Sequence, residues 1–350
     1  MKEKPLISVI IPMYNVEKYI GKCLRSIMAQ SYRNIEIVPV SDASPDRSLA
    51  ICEEYARVDS RVRPIALLAN QGVNAARFAG FRASRGTYIA FVDSDDFLPP
   101  KAIEILWQEM ERTQADIVAG NSVKFYDRLG FLRKPFRRNK AKELVLPELF
   151  DKYFISYFGE NTLSAELWGK LFRRGLFEES GIDRKPPLYV RGQDLMTNLL
   201  LFPYVKKYVV VEAYVYYYRY GGITAHYSPK TYSAYKEQYE VKKEVIRKYN
   251  YPKALPYAKL SICSSLCVNI ANMYKAGLPR KEIRGFIEGE VASGFVDEIT
   301  TDVNLLDWEG FLLLGAKDIE GLMEWGEREG KRRKRLRLMY DCIAPLLRLI

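Results

Sequence analysis

The chain has a single histidine, His226, in 350 residues, and its five cysteines follow no metal-ligand spacing. Cys23, Cys52 and Cys342 stand apart, while Cys263 and Cys267 lie four positions apart in an apolar segment, as on one helix face, with no histidine near. A cysteine–histidine metal cage is thereby excluded by pattern, and the five read as buried thiols in a reducing compartment. Long apolar runs are also missing. Nowhere do 18 apolar residues follow one another, and Met1–Leu6 passes into a strand too short for a signal segment, so a cytoplasmic chain with no spanning helix is expected. Neither G-x-G-x-x-G nor G-x-x-x-x-G-K-[ST] occurs, which excludes the dinucleotide fingerprint and the P-loop. No internal repeat, low-complexity tract or nucleophile motif is evident.

Acid is the scarcer charge, at 43 Asp and Glu against 54 Lys and Arg, and the net +11 is unevenly placed. Residues 331–350 hold seven cations against Asp341, and residues 133–142 hold six cations and no acid, each a net +6. Neither segment belongs to a nucleic-acid motif, so no nucleic-acid partner is expected; the better reading is attraction to an anionic surface or acceptor.

The first 120 residues alternate in type. Apolar runs at 6–11, 35–40, 62–67, 88–92 and 116–119 read as strands, and helical spacing marks 17–28, 49–57, 73–83 and 101–112. Ser44-Pro45-Asp46 reads as an N-cap, a first-turn proline and a first-turn acid. Such a series predicts a mainly parallel, Rossmann-like sheet with helices on both faces, whose ligand lies beyond the carboxyl ends of the strands. The polar residues collect there. Strand ends supply Pro12, Tyr14 and Asn15, then Asp42, then Asn70 and Gly72, then Asp93-Ser94-Asp95-Asp96. Asp42 suits a base N–H, Tyr14 offers a ring face, and Asp93 suits a ribose hydroxyl, while Asp95 suits a hard divalent cation that neutralises a diphosphate. The alternative reading of the acidic run is a helix cap ahead of Pro99-Pro100, with the other carboxylates solvated.

These stretches resemble the nucleotide-binding half of a family 2 glycosyltransferase with the GT-A fold. Ser8–Asn15 matches S-V-I-I-P-x-Y-N, Asp42–Ser48 matches D-x-S-x-D-x-S, and Asn70–Gly80 matches N-x-G-x-x-x-A-R-N-x-G with Phe78 in place of asparagine. Gly86–Asp96 matches G-x-Y-I-x-F-x-D-x-D-D. The resemblance implies transfer of a sugar from a nucleotide-sugar donor, usually a UDP-sugar, with Arg77 and Ser94 among the donor-binding residues and Asp95 on Mn²⁺ or Mg²⁺. Phe78 is expected to loosen local packing without removing a ligand.

Further on, Leu167–Arg173 is similar to the family's W-x-K-L-[FY] element, and Tyr216–Arg219 with Gly222–Thr224 to its Y-x-Y-R…S-I-T close. Trp168 and Lys170 are the expected acceptor-binding residues, Trp168 being either a sugar platform or a core aromatic. Asp194, in Arg191-Gly192-Gln193-Asp194, matches the presumed base of an inverting reaction, although Gln193 replaces the usual glutamate and Asp194 could equally cap the helix that follows. His226 is either a further metal ligand or a loop residue. The expected organisation is a catalytic domain over 1–226, with a donor half (1–120) and an acceptor half (121–226), then a mostly helical region over 227–330 and a basic amphipathic tail over 331–350. That tail, limited as a helix by Pro345, would attach the enzyme to the inner face of a membrane. Saccharide or lipid-linked acceptors in polysaccharide assembly are the family's implication. A non-catalytic nucleotide-sugar-binding subunit is the alternative, and a nucleotidyltransferase a weaker one.

Overall fold

A computed structural model describes residues 4–126, 131–137, 140–159, 162–187, 191–219, 228–303 and 308–346. The chain divides into two compact units, residues 1–154 with 163–222, and residues 155–162 with 223–350.

The first unit begins as the alternation predicts: β1 (Ile7–Met13), α1 (Ile20–Met28), β2 (Ile35–Ser41), α2 (Ser48–Val58), β3 (Ile65–Ala66), α3 (Val73–Ala83), β4 (Tyr88–Phe91) and α4 (Ala102–Thr113). It continues with β5 (Ile117–Tyr126), β6 (Phe131–Arg137), β7 (Lys142–Val145), β8 (Lys170–Arg173), α5 (Gly175–Ser180), α6 (Gln193–Leu201) and β9 (Lys207–Arg219). One sheet holds all nine strands in the order β3-β2-β1-β4-β8-β5-β9-β7, with β6 beside β5. The strands β3, β2, β1 and β4 are mutually parallel; β8 then enters antiparallel between β4 and β5, and β5 and β9 are parallel again. The chain order reverses across β1, which makes the carboxyl ends of β1 and β4 the switch point of the sheet.

Every residue of β1 and β2 is buried, which is why both read as continuous apolar runs rather than alternations. Ile7, Val9 and Ile11 pack with Ile20, Leu24 and Ile27 of α1 and Ile103, Leu106 and Met110 of α4. Ile10 and Val40 face the other way, against α3, where a Cβ on Gly80 would stand 2.6 Å from Ile10 Cγ2. Glycine at 80 is therefore a condition of that close approach. Each fully buried aliphatic chain contributes about 1.5–3 kcal/mol. Phe78 does not loosen this layer. It is buried in an aromatic cluster, 6.4 Å from Phe81 and 6.3 Å from Phe177 between ring centroids.

The cap expected at Ser44 falls elsewhere. The helix starts at Ser48, and Asp46 Oδ1 accepts from the Ser48 N–H at 3.0 Å and from the Ser44 and Ser48 hydroxyls at 2.6 Å. Burial raises the Asp46 carboxyl, but these bonds and the Glu17 N–H outweigh it and bring it down to about 2.

The second unit is helical over its described residues: α7 (Pro229–Lys248), α8 (Leu255–Ala276), α9 (Arg280–Ala292), α10 (Phe295–Thr300), α11 (Glu309–Gly315) and α12 (Ile319–Leu346). Pro252–Ala276 has a mean hydropathy of 1.2 over an 18-residue window, enough by length and composition alone for a membrane crossing. The other helices pack around α8, with Ile262, Leu266 and Ile270 buried among them, so it reads as the core helix of this unit. Residues 331–346 of the basic tail continue α12 rather than forming a separate element, and Pro345 sits one residue before its end.

Candidate active site

Asp93–Asp96 come one residue after the end of β4, beyond Val92, and the three carboxylates have different surroundings. Asp96 is buried, its Oδ2 accepting from Tyr216 Oη at 2.8 Å and its Oδ1 from the Arg219 N–H at 2.6 Å. Tyr216 Oη in turn accepts from the Asp93 N–H at 3.0 Å, and Arg219 Nε donates to the Asp95 carbonyl at 2.5 Å. Tyr216 and Arg219 of β9 thus fix the backbone that carries Asp93 and Asp95. The cap reading of the acidic run is corrected: Asp96 ties β4 to β9 and caps no helix.

Crowding these carboxylates costs charge stability. Burial pushes the Asp93 carboxyl up to about 6, Arg77 opposes that rise, and the Asp194 and Asp95 carboxylates add to it. Burial also raises Asp95, against the bond from its own N–H and the field of Arg219. Asp96 is raised well above its ordinary value, first by burial and then by Asp95 and Asp93.

Arg77 joins this cluster to the second half of the unit. Its side chain is 4% exposed; Nη2 donates to Asp93 Oδ1 at 2.8 Å and Nη1 to Asp194 Oδ1 at 2.5 Å. Nη1 also reaches Asn74 Oδ1 at 3.2 Å, and the Asn74 amide donates to the Pro187 carbonyl at 2.9 Å and to Thr197 Oγ1 at 3.2 Å. A planar fork is the group that can hold two carboxylates in one arrangement.

Asp194 is the second residue of α6, and its Oδ2 accepts from the Leu167 N–H at 3.2 Å. The helix-cap alternative fails, because Gly192 occupies the cap position and Asp194 makes no side-chain cap bond. Gln193 adjoins Gly72: a Cβ on Gly72 would lie 3.9 Å from Gln193 Nε2. Gly72 has φ +91, a conformation open to glycine, and it occupies the cap position just before α3. Two helix amino termini therefore meet at the crevice, a favourable setting for negative charge.

The remaining strand ends occupy the same edge of the sheet. Tyr14 is 45% exposed, and Asn15, at φ 55, donates its N–H to Ser44 Oγ at 2.8 Å. Pro12 and Ser94 are buried, and Asn70 is exposed. Asp42 is buried and accepts from the Gln71 and Gly72 N–H groups, both at 2.8 Å, so its carboxylate holds the loop between β3 and α3.

Two expectations are corrected. Trp168 is 7% exposed and stacked on Tyr216, with centroids 4.4 Å apart and planes 14° apart, and on Tyr218 at 5.6 Å; of its two readings the core aromatic holds. Lys170 is 1% exposed and donates to the Ser164 carbonyl at 2.7 Å and Asn198 Oδ1 at 3.3 Å, so its ammonium has no face for an acceptor. His226 and residues 222–224 lie outside the described residues. Sequence reasoning missed the roles of Tyr216, Arg219 and Asn74. The signal was present only as the Y-x-Y-R element, with nothing local to say that it reaches Asp96.

No three histidine, cysteine or acidic side chains among the described residues form a ready metal cage. Asp95 still suits a divalent ion, because Arg219 acts on its raised carboxylate only through its field while its Nε is bonded to the Asp95 carbonyl, and Mg²⁺ or Mn²⁺ commonly combines one or two carboxylates with substrate phosphate and water.

A parallel half-sheet with an acid-lined switch point defines an α/β protein whose crevice lies beyond the carboxyl ends of its strands. The family description "Glycosyl transferase family 2" matches residues 8–181. EpsH of Bacillus subtilis (strain 168), a putative glycosyltransferase, is 30% identical over 282 residues, covering 76% of this chain and 77% of its own. The uncharacterized glycosyltransferase EpsJ of the same organism is 36% identical over 216 residues, and the chain spans 61% of its length, as EpsJ spans 61% of this one. TarS of S. aureus, in its complex with UDP-GlcNAc, shares the fold with a TM-score of 0.67 at 18% identity, over 94% of this chain and 92% of that one. The chain belongs to glycosyltransferase family 2.

Proposed function

We propose that the chain transfers a sugar, with inversion, from a nucleotide-sugar donor, a UDP-sugar, to a saccharide or lipid-linked acceptor in polysaccharide assembly. The observation that carries this reading is Arg77, which holds Asp93 and Asp194 together although Arg77 and Asp194 are 117 positions apart. Donor and acceptor chemistry then share one site. Asp194 takes the proton of the acceptor hydroxyl as that oxygen bonds to the anomeric carbon, and the bond from that carbon to the diphosphate oxygen breaks on the opposite side. A carboxylate offers roughly four acceptor positions, and the two bonds from Arg77 and Leu167 leave room for this one. Tyr14 would stack on the base, Asp42 accept from it, and Asp93 hold the ribose. Asp95 would hold Mn²⁺ or Mg²⁺, which supplies positive charge to the departing diphosphate. The UDP-GlcNAc complex of TarS supports the choice of donor nucleotide.

The reading extends to a peripheral position on the inner face of a membrane, through the carboxyl-terminal part of α12. Part of that charge is already engaged: Lys331 pairs with Glu327, and Arg332 and Arg333 pair with Glu329. The exposed Lys331–Glu327 pair is weak and exchanges readily for lipid phosphate, whereas Arg333 and Glu329 are half-buried.

A thermal-shift panel of UDP-, GDP-, CMP- and dTDP-sugars with and without Mn²⁺ tests the donor assignment, since a ligand selective for the folded chain raises its stability by mass action. A rise confined to UDP-sugars and enlarged by Mn²⁺ is expected. A rise confined to another nucleotide would replace the donor, and no rise with any of them would overturn the reading.

A further inference from the structure

Three helices of the second unit line an open pocket of about 530 Å³. Each turns one face to it at helical spacing: Tyr232 and Lys236 of α7, Asn269 of α8, and Glu282, Phe286 and Glu290 of α9. The volume falls within the range of small-molecule sites.

Part of the lining is satisfied internally. Lys236 Nζ donates to Glu290 Oε2 at 2.9 Å, Tyr232 Oη donates to the same oxygen at 3.1 Å, and the ammonium lies 4.2 Å from the Phe295 ring centre. Phe286 meets Tyr232 edge to face at 5.4 Å and gives the cavity an apolar wall. Asn269 differs. It is 8% exposed, and among the described residues its amide reaches only Met273 Sδ, at 3.7 Å, a weak acceptor. A buried amide in that condition is costly unless a group in the cavity completes it. At the rim, the exposed Glu282 has no ion-pair partner among the described residues.

We infer that this cavity is a saccharide site that takes one neutral pyranose ring through vicinal hydroxyls. An anion would face two carboxylates and one ammonium that is already paired. A cation would find only the exposed Glu282 carboxylate at the rim, because Glu290 is already bonded to Lys236 and Tyr232. Hydroxyls that both donate and accept match the amide of Asn269 and the carboxylate of Glu282, and a ring's C–H face matches Phe286. None of these residues belongs to the crevice of the first unit. A site of this kind raises the effective concentration of a longer saccharide at the enzyme; that consequence rests on the transfer reading, whereas the site itself does not.

Saturation-transfer NMR on the full chain, with methyl β-glucopyranoside, methyl β-galactopyranoside, methyl α-mannopyranoside and N-acetylglucosamine as probes, tests it. At least one probe should saturate with a Kd of about 1–10 mM. Asn269→Ala and Phe286→Ala should each weaken it about fivefold or more, and the exposed Glu282→Gln should act in the same direction without threatening the fold. Asp194→Asn should leave it unchanged, which makes failure here distinguishable from failure of the transfer reading. The inference is overturned by no saturation up to about 50 mM with any probe, by equal binding to all three cavity variants, or by loss of binding in Asp194→Asn.

Discussion

Replacing Arg77 by methionine tests the link on which the active site depends. The substitution keeps the volume of the stem but leaves Asp93 and Asp194 facing each other without the guanidinium between them. Removing one partner of a buried ion pair costs about 3–5 kcal/mol. Water reaches both carboxylates here, since the Asp93 and Asp194 side chains keep 29% and 26% exposure, so the low end, about 3 kcal/mol, applies. In a unit of roughly 200 residues that lowers Tm by about 6–12 °C. Adding Asp194→Asn to Arg77→Met removes the like-charge contact and should restore about 1–2 kcal/mol, a non-additivity that urea unfolding of the two single variants and the double variant would read. Arg77→Lys keeps the charge without the fork. It should lose less stability than methionine, yet slow transfer about 10- to 100-fold, because the base is no longer held at its angle. A Tm for Arg77→Met within 2 °C of wild type, by the same scale of about 2–4 °C per kcal/mol, would refute this account of the site.

Asp95→Ala should abolish the Mn²⁺-dependent part of UDP binding in calorimetry while leaving unfolding unchanged; metal-dependent affinity equal to wild type would remove Asp95 as the ligand. Asp194→Asn should bind the donor within a few-fold of wild type but cut UDP release in the presence of acceptor by about 10² to 10⁴, and normal turnover would move the base elsewhere. Lys242 is buried in the second unit, donating to the Phe158 carbonyl at 3.1 Å and Ser261 Oγ at 3.2 Å, and burial lowers its ammonium to about 8. Because the unfolded chain keeps that proton up to its ordinary 10.5, stability from this group rises with pH between about 8 and 10.5 and is lowest below 8. Lys242→Met should therefore gain on wild type at pH 7 and lose about 2 kcal/mol of that margin by pH 9.5; parallel urea curves at the two pH values would contradict it. Deleting residues 331–350 should sharply reduce co-sedimentation with anionic vesicles at low salt, polybasic segments gaining about 1 kcal/mol per cation there, while donor binding survives. Equal sedimentation of both forms would take the tail out of the membrane contact.

Much of the donor side was legible in the sequence because its determinants are local. The apolar runs of β1 and β2, the helical spacing of α3 at 73–83 and the polar residues after each strand all lie within short windows, and a parallel sheet forces those strand ends onto one edge. Asp42, Asp93 and Asp95 could be named for that reason, whereas Asp194, on α6, was named only through the family resemblance. The cap at Ser44 was misplaced by a few residues, because whether serine or aspartate serves the first turn depends on where the loop from Glu17 arrives.

The sequence by itself determined the class of fold, the identity of the acidic residues and the family. The tertiary structure alone decided which of those acids are load-carrying anchors and which face the crevice. Asp96 and Asp93 are three positions apart, yet one is bonded to β9 and the other to Arg77. Likewise Trp168 and Lys170 became core residues only because β8 enters the sheet between β4 and β5, bringing Tyr216 and Tyr218 over the indole and Asn198 to the ammonium. Propensity and periodicity act over a few residues, whereas burial and pairing are set by whatever the fold brings from far along the chain.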